Sequence, residues 1–202
     1  MVKQEFAKDD VELVEVVHLP TQMSDDTRFF LFKRYNEYIS VVAKGEVFNK
    51  DNVLIRLHSE CLFGDIMGSK ACDCGEQLAR AKDLISKEGE GILFYLAQEG
   101  RGIGLKNKVQ AYKLQQEKKL DTVEANMTLG FSPDLRDYKA CAVILKDYFK
   151  IDSIRLLTNN MRKAKPLQEY GINVVLTPLV CEPNEFNKDY LETKKKRMGH
   201  KL

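Results

Sequence analysis

The chain lacks a surplus of either charge. Its 32 basic and 30 acidic residues leave a net +2 over 202 residues. A dedicated nucleic-acid binder usually carries a strong basic excess, so no nucleic-acid partner is expected, although a local basic pocket for a small anion stays open. No run of about 18 apolar residues occurs, and no membrane-spanning segment is expected. The stretch Met1 to Asp10 is charged and has no apolar core of the secretory type. Five cysteines, an odd number, do not suggest a disulfide framework. A reduced, cytoplasmic protein is therefore expected. Repeats and low-complexity linkers are missing, and so is the G-x-x-x-x-G-K-[ST] pattern of a Walker A loop.

What is present is a soluble, globular balance, with 44% hydrophobic and 31% charged residues. β-Branched and aromatic residues predict strands at Val11–Val17, Phe29–Phe32 and Tyr38–Val42, and another at Val53–His58. After Gly75 the apolar period becomes helical, through Leu78, Ala81, Leu84 and Ile85. Gly91–Leu96 reads as a buried strand running into a glycine-rich loop. Helices are predicted over Leu105–Lys118, over Asp137–Phe149 as an amphipathic segment, and over Lys163–Tyr170. Strands follow at Ile154–Thr158 and Ile172–Leu176, and the tail Phe186–Met198 reads as helical and basic. This alternation implies an α/β fold: a layered mixed sheet flanked by helices, with a β-rich N-terminal segment (1–50) and a core (54–202) in a single domain 1–202.

Cys61 precedes Cys72-Asp73-Cys74 by eleven residues. Three thiolates this close suit zinc. Structural zinc sites close with four ligands, whereas three protein ligands plus water is the catalytic arrangement. Cysteines are also common in cores, but Asp65, Lys70, Asp73 and Glu76, with Gly64, Gly68 and Gly75, break a core pattern here. His58 is expected to be a polar strand-end residue beside the site; as a fourth ligand it would make the site structural. Cys141 and Cys181 lie in apolar contexts and are assigned to core packing.

Glu99-Gly100-Arg101-Gly102-Ile103-Gly104 lies between a strand and a helix, where backbone N–H groups and a helix N-terminus can meet an anion. Arg101 adds a planar fork of donors. A tight turn would look the same. Arg56 at a strand end and Lys163 after Thr158-Asn159-Asn160 are further phosphate candidates, placed where α/β sheets bind ligands. Asp134 and Arg136 precede a helix that Asp137 can cap.

Taken together, Arg56-Leu57-His58-Ser59-Glu60-Cys61, Gly64-Asp65, Cys72-Asp73-Cys74-Gly75, Gln98 to Leu105, Asp121-Thr122-Val123-Glu124-Ala125-Asn126, Asp134-Leu135-Arg136-Asp137-Tyr138 and Leu156-Leu157-Thr158-Asn159-Asn160 resemble the GTP cyclohydrolase II family. The ending Tyr190-Leu191-Glu192-Thr193-Lys194, with Lys196 to His200, is similar too. The likeness runs from Leu54 onward; before it only Leu19-Pro20-Thr21 is suggestive.

That resemblance implies hydrolytic opening of the imidazole ring of GTP, with release of formate and pyrophosphate, at the start of riboflavin synthesis. It implies zinc on Cys61, Cys72 and Cys74, and Mg²⁺ with the substrate phosphates. GTP contacts are implied for Arg56, Leu57, His58, Ser59, Glu60, Gln77, Glu99, Gly100, Arg101, Thr122, Thr158 and Lys163. Asp134 is implied as proton acceptor and Arg136 as nucleophile at the α-phosphorus, although a clamp on that phosphate suits a guanidinium better. Tyr112 is implied to carry the formamide step through to free formate. A homodimer is implied, and the stand-alone form, since the chain leaves no room for a fused dihydroxybutanone phosphate synthase. Ala71 replaces the family's usual arginine and Met161 its usual proline. Arg155 and Arg162 are the candidates to restore the missing charge. Glu60, Glu99 and Glu124 are the acids available to read guanine. Two alternatives stay open: an enzyme that stops at the formamidopyrimidine, and a binding module with a structural zinc, to which the run Lys194–Arg197 lends slight support.

Overall fold

The computed structural model describes residues 6–188 and 191–192. Strand β1 (Ala7–Lys8) is followed by β2 (Val11–His18), β3 (Thr27–Arg34), β4 (Glu37–Lys44) and β5 (Val53–Ser59). Then come helix α1 (Cys74–Glu88), β6 (Gly91–Leu96), α2 (Gly104–Lys118), α3 (Thr122–Thr128) and α4 (Lys139–Val143). Then follow β7 (Ser153–Leu157), α5 (Ala164–Glu169) and β8 (Asn173–Thr177), and the described tail residues Lys188, Leu191 and Glu192 are helical. All eight strands form one sheet, ordered β1-β2-β3-β4-β6-β5-β7-β8. The first four are antiparallel, and β4 joins β6 antiparallel. Strands β6, β5, β7 and β8 run parallel. The fold is therefore α/β with a mixed sheet. Its N-terminal strands continue the sheet instead of forming a layer of their own.

Side chains alternate between the two faces of a strand, and β5 shows what each face packs against. Val53, Ile55 and Leu57 join the larger core with Phe94, α4 and α5. That core extends to Phe30, Phe32, Tyr148 and Phe149, with Phe30 and Phe149 ring centroids 5.2 Å apart at 74°, an edge-to-face packing. On the other face Leu54, Leu93 and Leu157 meet Ala81 and Ile85 of α1. Helix α1 starts only at Cys74, so its cover ends before Arg56 and His58.

The segment predicted as an amphipathic helix over 137–149 is different. It begins at Lys139, passes into a π-helical stretch at Ile144–Tyr148, and is buried throughout Ala140–Leu145. Its polar side is narrow: Lys139 is exposed, and Lys146 and Asp147 pair with Asp152 and Lys8. Asp137 does accept the backbone N–H of Lys139 at 3.0 Å. Helix α3, not predicted from the sequence pattern, has its start set by a capping box between Asp121 and Glu124. Most of the predicted tail helix, and the Lys194–Arg197 run, lies outside the described residues.

After β5 the chain crosses to β6 on one side, and after β7 it crosses to β8 on the other. The carboxyl ends of β5 and β7 therefore flank a switch point, where open α/β sheets leave a crevice.

Candidate functional site

A cleft of about 1010 Å³, counted with its open mouth, occupies that crevice. Its walls hold Arg56, His58, Ser59 and Glu60 from β5 and its end, and Thr158, Asn159, Asn160 and Lys163 from the loop after β7. The sulfurs of Cys61, Cys72 and Cys74 lie in the same wall, all within 4.8 Å of one another.

Local sequence explains why the sulfurs meet. Cys61 leads a π-helical turn, Leu62–Ile66, and its Sγ accepts the Gly64 N–H at 3.4 Å. That turn presses on the start of α1. A Cβ on Gly64 would sit 2.9 Å from the Cys72 Sγ, and one on Gly75 would sit 2.2 Å from the Gly64 carbonyl oxygen. Only glycine at both positions allows this approach. Asp65 anchors the turn to the sheet: it accepts the Cys61 N–H, the His58 ring and the Tyr95 hydroxyl, each at 3.0 Å.

The donor set fits zinc. Two sulfurs bound tetrahedrally at about 2.3 Å would lie roughly 3.8 Å apart, and Cys61 and Cys72 Sγ are 3.8 Å apart. A disulfide would need about 2.05 Å. His58 gives its Nε2 to Asp65 and is not part of the sulfur group. Among the described residues no fourth His, Cys, Asp or Glu joins the three thiols. Neighbouring thiols and the Lys108 ammonium push the Cys61 thiol far below its ordinary pKa, while Cys72, which shares that bond, is pushed up. Cys141 and Cys181 are buried elsewhere, their thiols pushed up to about 12 by burial.

Five cationic side chains reach the cleft: Arg56, Arg101, Lys108, Arg136 and Lys163. Arg56 donates to the Leu157 carbonyl at 2.9 Å and to Gln77 Oε1 at 2.6 Å, and Gln77 in turn donates to Asp73 at 2.6 Å. Lys163 donates to the Leu57 carbonyl at 2.6 Å. Burial first, then the charges of Arg56 and Arg136, hold Lys163 well below a free lysine's pKa. Like charges gathered in one cleft create a field suited to a polyanion. Arg101 has left-handed backbone at φ 63°, uncommon outside glycine, and its carbonyl accepts the Leu135 N–H at 3.0 Å. The glycine loop and the Asp134–Arg136 loop are thereby joined.

Asp134 and Arg136 form a two-toothed ion pair, at 2.8 and 2.7 Å. Burial disfavours the Asp134 charge, but the Arg136 fork outweighs it and holds the carboxyl below its usual range. Arg136 lines the cleft; Asp134 stands behind it. Gln77, Gly100, Thr122 and Tyr112 line the cleft as well, and the Tyr112 ring meets Phe63 edge-on at 5.3 Å. Of the residues implied to touch GTP, Leu57 is the one whose side chain turns away, into the core.

Arg155, a candidate to replace the charge missing at Ala71, is instead paired with Glu88 and the Asn52 carbonyl. The cation beside the thiols is Lys108, which the sequence reading missed. Its signal was spacing: Lys108, Ala111, Tyr112 and Gln115 share one face of α2, and all four line the cleft.

A family profile described as GTP cyclohydrolase II matches residues 12–177. It begins within β2, so β2 to β4, where the sequence showed little likeness, fall within the family's span. The chain is 49% identical over 191 residues to the GTP cyclohydrolase-2 of Archaeoglobus fulgidus, covering 94% of this chain and 50% of that protein. It is 54% identical over 167 residues to the riboflavin biosynthesis protein RibBA of Bacillus cereus, covering 82% and 41%. With the RibBA protein of Bacillus subtilis it shares 47% over 199 residues, covering 94% and 50%. The chain thus spans about half the length of the curated relatives it matches. With a profile running over most of its length and relatives near half identical along nearly all of it, the chain belongs to the GTP cyclohydrolase II family.

Proposed function

We propose that the chain is a zinc-dependent GTP cyclohydrolase II, which opens the imidazole ring of GTP and releases formate and pyrophosphate to leave a diaminopyrimidine ribosylamino phosphate. The observation that carries the proposal is the meeting of three thiols with a cation-rich cleft at the carboxyl ends of β5 and β7. The cysteine sulfurs would hold zinc, which when bound supplies Lewis-acid activation of water at neutral pH. Arg56, Arg101, Arg136 and Lys163 bind the triphosphate, accompanied by Mg²⁺. Asp134 orients Arg136 through their double hydrogen bond, which makes Arg136 a clamp on the α-phosphate. Its salt-bridged carboxylate, held below the usual range, is a weak proton acceptor. Tyr112 assists loss of the formyl group, so turnover goes through to formate.

Three acids were available to read the guanine edge. Glu99 already accepts from Lys108, Gly100 N–H and Leu62 N–H. Glu124 closes the capping box of α3. Glu60 lines the cleft, and its carboxylate makes no side-chain hydrogen bond among the described residues. We assign guanine reading to Glu60. An acceptor left unpaired in the cleft would reject bases lacking the matching donors.

The reading extends to a homodimer in the cytoplasm that begins riboflavin synthesis. No described helix is long and apolar enough to cross a membrane. The test is incubation with GTP or ITP and Mg²⁺, following formate and the pyrimidine product. GTP should be consumed far faster than ITP, and Cys72→Ser should abolish both products. Formate release by Cys72→Ser at the wild-type rate would refute the metal assignment. Product that keeps its formyl group would point to the formamidopyrimidine enzyme.

A further inference from the structure

We propose that Lys108 is a positioning residue of the metal centre: its ammonium hydrogen-bonds the Cys61 sulfur and so tunes how the three thiolates hold an ion. The inference rests on the metal reading above. Lys108 Nζ lies 3.1 Å from Cys61 Sγ, 2.7 Å from Glu99 Oε1 and 4.4 Å from the centre of the Phe63 ring. The residue is 7% exposed. A buried ammonium is costly unless paired and hydrogen-bonded, and here its surroundings are a sulfur, a carboxylate and a ring face.

The backbone is shaped to allow this. A Cβ on Gly100 would stand 3.0 Å from the Lys108 Cβ, so glycine lets the loop after β6 close on α2. Glu99, in that loop, accepts both Lys108 and the Leu62 N–H that follows Cys61. Lys108 and Glu99 together therefore tie α2 to the turn that carries the first sulfur.

Charge supplies the function. Three thiolates and one divalent cation sum to −1. Glu99 adds another negative charge at the same place. An ammonium donating to one sulfur offsets this charge where water is scarce, and it withdraws electron density from that sulfur. Partners of metal ligands orient them and adjust the strength of their bonds.

The test compares wild type with Lys108→Met, Lys108→Arg, the double variant Lys108→Met/Glu99→Gln, and Lys106→Met as an exposed control. Zn²⁺ affinity is read by competition with a coloured chelator. Co²⁺ loading gives sulfur-to-cobalt charge-transfer bands. Lys108→Met should bind Zn²⁺ roughly 10- to 100-fold more weakly, because Cys61 loses the partner that orients its sulfur toward the other two. Its Co²⁺ bands should move to lower energy, because a sulfur lone pair without its hydrogen bond lies higher. Lys108→Arg should recover part of both, and Lys106→Met should match wild type. The double variant removes both partners of the buried ion pair, so it reports on the sulfur contact without stranding a charge. If it regains wild-type affinity and bands, Lys108 serves only to neutralise Glu99 and the proposal fails. Unmoved bands with unchanged affinity in Lys108→Met would also overturn it. Wild-type chain that gives no sulfur-to-cobalt band would instead refute the metal reading itself.

Discussion

Consecutive residues of β5 are buried alike but held differently. Ile55 and Leu57 are 0% exposed and touch apolar groups, while Arg56 at 4% and His58 at 2% are each tied by polar partners. Burial alone therefore does not separate core from site. The dry face is stabilised by area and close packing, which are non-directional. The polar face depends on each donor finding its acceptor, since an unmade buried hydrogen bond costs more than a made one contributes. A single strand can do both because its side chains alternate, and because α1 covers one face only as far as Cys74.

The largest expected effect separates the two faces by stability. Ile55→Ala opens a cavity in the larger core and should cost about 2–5 kcal/mol in urea unfolding. Its folded fraction should still bind a non-hydrolysable GTP analogue like wild type. A loss of binding with little loss of stability would mean that the dry face also shapes the site.

Next comes a change on the polar face. Arg56→Lys keeps the charge but loses the planar fork that spans Leu157 and Gln77. Hydrogen bonds to charged groups are worth about 1.5–3 kcal/mol, so analogue binding should weaken roughly 10- to 100-fold by calorimetry, with less change in stability than Ile55→Ala. Equal binding would show that Arg56 braces the β5–β7 pair and does not meet the phosphates.

How far the sequence could be read follows the same division. The alternation of Val53–His58 was visible, and so were the three cysteines, because both are local patterns. The pairing of Arg56 with Leu157 spans 101 residues, and that of Lys108 with Cys61 spans 47. Contacts at such separations are set by chain topology, which no window of residues displays. Residues 137–149 carry a local signal as well: the helical period shows in the pattern, with Lys139, Lys146 and Asp147 on the polar side, while the burial of Ala140–Leu145 shows only in the fold. Asp134 and Arg136 were found together in one loop, yet their mutual ion pair, which bears on both proposed roles, became visible only in the fold.

The smallest expected effect concerns the other buried polar residue of β5. His58 is held below its ordinary pKa of 6.5, first by burial and then by the charges of Arg56 and Lys163, against the pull of Asp65. Above pH 6.5 it is therefore neutral in the folded chain, with Nε2–H donated to Asp65 and Nδ1 turned toward Arg56 at 3.5 Å. On unfolding, the imidazole regains its ordinary proton affinity. As pH falls through 6.5 the unfolded chain takes up a proton first, so the stability that His58 contributes is complete above 6.5 and is lost below it, down to the folded value. Urea midpoints of chelator-treated protein between about pH 5 and 8 should fall toward acid in wild type. His58→Asn should show a shallower fall, because asparagine carries no proton to gain. A wild-type curve that falls less toward acid than that of His58→Asn would mean that Asp65 holds the imidazole charged, and the polar face of β5 would then carry two cations where the neutral ring leaves it one.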